Sequence, residues 1–237
     1  DGDPVVGVSA LIAMHFDGAG ESERSVEFYF QAADRALDLY GASESLRLSE
    51  KVLERVQPGS RIRYDALKIR AKALDELGDR ETQIETLEEL RDMAEAWEDC
   101  TDLCGVLLQL ARFEFDGSDI RKARAYVDQA QELSQESGDV VHQANAKVLH
   151  ALLDLHEGAR AGALVRLEEA IDAFESSEGP ESEEGLVNAL NLRGVIYRQA
   201  GRHAEALESY DRALIHAEKA GLGRQRRYLL SNAGIAL

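Results

Sequence analysis

Lysine, cysteine, proline and aromatic residues are all scarce in this 237-residue chain. The three prolines are Pro4, Pro58 and Pro180, each in a turn-like setting of Gly, Ser, Asp or Glu. Between Gly59 and Gly179 there is none, so nothing in that span forbids helix. Aromatics make up 6% of the residues, which argues against an all-β fold. The two cysteines, Cys100 and Cys104, lie four apart on an expected helix. That spacing is poor for a disulfide and leaves too few thiolates for a closed zinc site. They read as small buried hydrophobes in a reducing compartment, consistent with a cytoplasmic location. No apolar run approaches about 18 residues, so no membrane-spanning helix is expected. The opening Asp1-Gly-Asp-Pro does not read as a signal peptide.

What the chain has is acid and helix formers. Asp and Glu number 45 against 27 Lys and Arg, a net charge of −18, and 44% of residues are hydrophobic. Such a balance repels phosphate backbones and anionic lipid, so neither nucleic acid nor membrane is the expected partner. The excess reads as a solvated acidic outer face, and a halophilic source or a GC-rich genome would produce the same bias. Ala, Leu, Glu and Arg dominate, the vocabulary of α-helix.

Internal periodicity organises the whole chain. Turn positions recur at Gly78, Ser118, Gly158 and Gly201, with steps of 40, 40 and 43. Seven residues earlier stand Ala71, Ala111, Ala151 and Gly194, and Gly234 follows forty later. Five residues after each turn come Gln83, Ala123, Ala163 and Ala206. A fourth series is Leu90, Ala130, Ala170 and Ala213. Small side chains repeat where helix backbones must cross closely. The turn series supplies residues for left-handed backbone at helix ends. Asp79, Asp119, Asp139 and Ser182 are candidate N-caps.

The pattern predicts twelve helices in six pairs, at about 4–17, 22–40, 43–57, 60–77, 80–97, 99–115, 119–136, 139–157, 160–176, 181–200, 203–220 and 223–237. The fold class is all-α, a right-handed α-solenoid of about six antiparallel hairpins over residues 1–237. The last residues, Ser231–Leu237, reproduce the start of a further repeat, which marks the chain as an expected piece of a longer protein.

The segment Leu190–Leu214 resembles the tetratricopeptide repeat. Gly194, Tyr197, Gly201, Ala206, Tyr210 and Ala213 stand where that family places its small and aromatic packing residues. Earlier repeats are degenerate: Gln83 and Leu90 replace alanines, and Asp154 replaces an aromatic. The family repeat is about 34 residues, so the longer step here implies helices extended by about a turn. The segments Ala13–Gly20 and Val26–Tyr40 are similar to helical arms that follow STAND-type ATPase modules in bacterial signalling proteins and transcription activators.

No phosphate loop, dinucleotide fingerprint, nucleophile elbow or metalloprotease motif is present. The six histidines form no pair at helical ligand spacing and read as ordinary surface or groove residues. Acidic pairs such as Glu88-Glu89 read as solvated helix faces. Tyr29, Tyr126, Tyr197 and Tyr210 read as interhelical packing, as does Trp97 near a helix end. No catalytic residue, cofactor or metal is therefore expected, and the chain reads as a binding module.

The tetratricopeptide resemblance implies a concave groove lined by the first helix of each hairpin and filled by a protein or peptide partner. Transferring groove positions through the small-residue anchors selects Lys68 and Lys72 on one helix, Arg112 on the next, and Asn191 and Arg198 further along. A basic stripe inside an acidic chain suits a carboxylate or acidic peptide. The competing reading pairs these cations with Asp65, Asp75 or Glu76. The functional expectation is an interaction scaffold, the sensor arm of a bacterial regulatory protein with flanking domains. The alternative is a receptor for a small signalling peptide or metabolite.

Overall fold

A computed structural model describes residues 4–39 and 41–236. The described residues form twelve α-helices and no strand. They are α1 (Pro4–Gly18), α2 (Ser22–Leu39), α3 (Ala42–Leu53), α4 (Arg61–Leu77), α5 (Arg80–Ala96) and α6 (Cys100–Asp116), then α7 (Ile120–Ser137), α8 (Val140–His156), α9 (Arg160–Glu175), α10 (Pro180–Gln199), α11 (His203–Lys219) and α12 (Gly223–Ala236). The fold is an all-α stack of antiparallel hairpins of the helical-repeat solenoid class. By compactness the chain divides into two units, Asp1–Trp97 with α1–α5 and Glu98–Leu237 with α6–α12.

The turn series does what its residues allow. Gly78, Ser118, Gly158 and Gly201 have φ of 71°, 66°, 84° and 75°. Each turn closes with the same hydrogen bond, from the following N–H back to the carbonyl five residues earlier. Asp79 reaches Leu74 at 3.1 Å, Asp119 reaches Glu114 at 2.9 Å, Ala159 reaches Asp154 at 2.8 Å and Arg202 reaches Tyr197 at 2.9 Å. This is the bond that satisfies orphan carbonyls at a helix end. Ser118 holds left-handed backbone without being glycine, so one turn in four stores strain.

Asp79, Asp119 and Asp139 cap α5, α7 and α8, accepting from the backbone N–H of Thr82, Lys122 and His142. Ser60 and Asp99 do the same for α4 and α6. Ser182 does not cap. Pro180 occupies the first turn of α10 with Gly179 before it, because proline's fixed φ starts a helix without a lost donor. Ser182 is instead buried inside α10 and donates to the Phe174 carbonyl at 2.8 Å. The third helix also differs from expectation: it ends at Leu53 rather than near 57. Pro58 disfavours helical backbone at Gln57 and removes the N–H that would close the final turn.

In each unit, consecutive helices pack against one another. The substantial contacts beyond nearest neighbours join even-numbered helices: α2 to α4 in the first unit, and α6 to α8, α8 to α10 and α10 to α12 in the second. The even helices therefore form one layer of each unit and the odd helices the other. Ala71, Ala111, Ala151 and Gly194 are all buried in the even layer. Sixteen residues after each stand Leu87, Val127, Leu167 and Tyr210, none more than 1% exposed. The largest of these sits opposite the smallest anchor. A Cβ at Gly194 would overlap the Tyr210 ring, with Cδ1 at 2.7 Å and Cζ at 2.8 Å. Gly185 is similarly filled by the Phe174 ring. Gly234, by contrast, has nothing within 4 Å of where its Cβ would be and is exposed.

Two expectations about buried polar groups are corrected. Cys104 is buried and its thiol is pushed up to about 11 by desolvation, but Cys100 is exposed. Both are free thiols. Among the histidines, His142 and His150 are buried between helices instead of lying on a surface or groove. Helical spacing fixes the face a residue occupies and is silent about which neighbour covers it.

Candidate partner-binding surface

The even layer is where the expected site residues fall. Relative to the small anchor of each even helix, three positions recur on its open side. Three residues before the anchor stand Lys68, Leu108, Val148 and Asn191; one after it stand Lys72, Arg112, Leu152 and Val195; four after it stand Asp75, Phe115, Leu155 and Arg198. Helical geometry puts these three positions on one face.

In the first unit, α4 presents Lys68 and Lys72 one turn apart, both half-buried. Of the acids expected to neutralise them, Asp65 faces Arg61 at 3.7 Å and Asp75 accepts from Gln83 at 3.1 Å, while Glu76 also has a partner. Lys72 nevertheless has an interaction of its own.

In the second unit, Val148, Leu152 and Leu155 on α8 and Val195 on α10 are half-buried and form an apolar strip. Arg112 on α6 is exposed and paired with Asp116 at 3.0 Å on its own helix. An exposed i,i+4 pair of this kind is worth about 0.3–0.5 kcal/mol and is easily exchanged. Asn191 accepts from Asn232 of α12 at 2.8 Å, which ties the two even helices together. Its own amide nitrogen still provides donors. Arg198, two turns on, differs from the rest: it is half-buried, and its Nε is buried without a hydrogen-bond partner. A guanidinium is always charged and costs free energy when its donors are left unmet out of water. The structure brings Asn191 and Arg198 onto one face of α10, with Arg112 two even helices away. Lys68 and Lys72 belong to the other unit.

The connections between hairpins carry polar chemistry that residue spacing within a helix does not reveal. Arg193 is buried and bonds Glu168 of α9 at 3.0 Å and Ser209 of α11 at 3.1 Å. One repeat earlier, His150 faces Asp128 of α7 at 3.4 Å. The pairs are equivalent under the repeat step, since Glu168 follows Asp128 by 40 and Arg193 follows His150 by 43. Burial pushes the His150 imidazole pKa below its ordinary value, with the Asp128 charge opposing. Comparing the repeats pairwise would have exposed this correspondence; searching for ligand spacing on single helices does not. Among the described residues no group of three or more His, Cys, Asp or Glu is placed to hold a metal. Among them also, no helix is long and apolar enough to cross a membrane.

Residues 187–220 match the family model described as tetratricopeptide repeat, the span that holds Gly194, Tyr210 and the closing turn at Gly201. The chain carries a tetratricopeptide repeat. No curated protein sequence matches it. Among solved structures, a Rap protein complexed with competence and sporulation factor aligns over 96% of this chain and 73% of its own, at 11% identity and a TM-score of 0.59. Aspartyl phosphate phosphatase F from Bacillus subtilis aligns over 89% of this chain and 59% of its own, at 12% identity and a TM-score of 0.58. A protein of Thermus thermophilus, TTC0263, described as a thermophilic TPR protein, aligns over 96% of this chain and 98% of its own, at 18% identity and a TM-score of 0.51. At these identities the likeness concerns the fold. The tetratricopeptide-type architecture read from the spacing is the architecture observed.

Proposed function

We propose that this chain is a protein–protein interaction scaffold whose even-helix face binds a segment of a partner. The observation that carries the reading is Arg198, a half-buried guanidinium with an unmet Nε, beside the apolar strip of Val148, Leu152, Leu155 and Val195. A partner segment with an apolar side chain and a carboxylate one or two residues away complements both features. The carboxylate would satisfy the guanidinium as a charge-assisted bond, and Asn191 would bond the segment's backbone. Arg112 gives a second contact by exchanging Asp116 for the partner. On α4, Lys68 and Lys72 offer an acidic segment a separate cationic patch. The absence of recognisable catalytic motifs is in keeping with recognition without a covalent step.

The fold neighbour complexed with competence and sporulation factor favours a second reading, a receptor for a small signalling molecule. A sensor arm within a larger bacterial regulator would use the same face.

A displayed library of random peptides selected against the chain tests the proposal. Selected sequences are expected to combine an apolar residue with Asp, Glu or a free C-terminus. Arg198→Ala should weaken them at least tenfold, about 1.4 kcal/mol, and Lys122→Ala should not. Charge reversal at Lys68 and Lys72 should abolish binding of any segment selected on the first unit. Peptides that bind equally well to all these variants would remove the assignment.

A further inference from the structure

The odd layer of the first unit has a gap where one helix stops short. Ser45, Leu48 and Val52 of α3 are buried, as Gln83, Thr86 and Leu90 of α5 are, each 38 residues on. In that register Leu53, the last residue of α3, stands level with Arg91, so the end of α5 runs past its neighbour. α3 has 12 residues, against 16 to 18 for α5, α7, α9 and α11. Pro58 ends it early, and a cavity of about 490 Å³ lies between Gly59, in the loop that follows, and one stripe of α5. The stripe includes Glu85, Glu88, Glu89, Asp92, Met93 and Trp97, which helical spacing places on one face.

Three features of this groove point to the same occupant. The first is unbalanced charge. Glu89 is paired with Arg63 at 2.7 Å, and Asp92 with Arg91 at 3.3 Å. Glu85 and Glu88 are exposed and, among the described residues, unpaired. The equivalents of Glu88 in the next two hairpins, Asp128 and Glu168, face His150 and Arg193 of the even helix that follows each. Leu110 stands at that place in the register for Glu88 and offers it no nitrogen. The second feature is an aromatic pair that attracts cations. The Arg61 guanidinium carbon lies 5.6 Å from the centre of the Trp97 ring and 5.1 Å from that of Tyr64, within cation–π range. The third is apolar surface, since Met93 and Trp97 line the groove beside the carboxylates.

We propose that this groove binds a linear aliphatic polyamine. Carboxylates on one helix face recur about every 5.4 Å, and amines separated by three or four methylenes are about 5–6 Å apart at ordinary bond lengths. Successive ammonium groups meet Glu85, Glu88 and Asp92 in turn. The methylenes between them cover Met93, and a terminal ammonium reaches the Trp97 ring. Twelve residues of helix separate Glu85 from Trp97, about 18 Å, close to the ~16 Å of an extended tetraamine. Cavities of this size hold small molecules, which favours a free polyamine over a basic peptide. The site is separate from the even-helix face, because its lining comes from α5 and the loop before α4.

Spermine titrated calorimetrically into the 237-residue chain tests the proposal. At 0.15 M salt, diffuse attraction to the net charge of −18 is screened, and one saturable site is expected. Fluorescence of Trp97, the only tryptophan, should change with the same midpoint. Glu85→Gln combined with Glu88→Gln should weaken binding at least tenfold. Glu132→Gln combined with Glu136→Gln removes the same charge from exposed positions of α7 and should leave it unchanged. No saturable binding, an equal loss in both double variants, or a Trp97 signal indifferent to spermine would overturn the proposal. So would an oligolysine peptide that binds where spermine does not, since the groove would then belong to a basic segment of a protein.

Discussion

Replacing Gly194 by alanine sets two well-known effects against each other in one methyl group. Helix propensity alone makes the change favourable: glycine inside a helix costs about 1 kcal/mol relative to alanine. Packing opposes it. The added carbon would overlap the Tyr210 ring, with Cδ1 and Cζ at 2.7 and 2.8 Å, against the roughly 3.5–4.0 Å at which carbons attract. The ring cannot swing away, because Tyr210 is fully buried and packed within the second unit's core. Overpacking of this kind costs about 1–3 kcal/mol, occasionally more. With a clash against several ring atoms the upper part of that range applies, so Gly194→Ala should destabilise by about 1–2 kcal/mol net. Urea unfolding monitored by circular dichroism measures it, with Gly234→Ala as the control that gains the propensity term alone. The decisive variant is the double one. Gly194→Ala with Tyr210→Leu recreates the Ala151 and Leu167 arrangement of the preceding hairpin and should recover stability relative to Tyr210→Leu alone. A stabilised single variant, or a double variant whose effects simply add, would refute the claim that anchor and ring are complementary.

Two further outcomes follow from the structure. His150 is held neutral by burial, its pKa lowered in the fold, while the unfolded chain protonates it near about 6.5. The unfolded state then binds more protons as pH falls below that value. The contribution is fully present above it and is lost as pH falls through the folded value. Asp128, Asp154, Arg124 and Arg166 set the local field. His150→Leu, which installs the buried residue of the preceding repeat, Leu110, should flatten the fall in thermal stability between about pH 7 and 5; an unchanged slope would exclude His150 as its source. At the start of α9, Ala159 caps the helix without a side-chain bond, where the equivalent Asp79 and Asp119 each accept one. Ala159→Asp should stabilise by about 0.5–1 kcal/mol in chemical denaturation, and no gain would show that the Gly158 turn cannot present the carboxylate.

Much of this architecture was legible because it depends on local rules with a fixed period. Left-handed backbone needs Gly or a tolerant residue, so the turn at Gly78 announced those at Ser118, Gly158 and Gly201. Aspartates placed one residue later announced two of the caps, Asp79 and Asp119, and Asp139 announced a third. Close helix crossing needs small side chains, so the Ala123, Ala163 and Ala206 series marked buried positions, and all three are buried. Ser182 was misread because a cap is recognised from sequence only by proximity to a helix start, and Pro180 competes for that start. For the residues proposed to bind a partner, sequence spacing gave a shared register on the even helices and nothing of their surroundings. Asn191 bonds Asn232 and Arg112 bonds Asp116, while Arg198 keeps an unmet donor; these differences depend on which side chains the neighbouring turns supply.

The sequence by itself determined the helices, their turns and the period at which they stack, because each is set by backbone preference and side-chain size within a few residues. Only the tertiary structure decided which polar groups are buried and which anchor meets a ring. Those outcomes depend on partners far along the chain, and side-chain volume, burial and charge act on them only once the helices are packed.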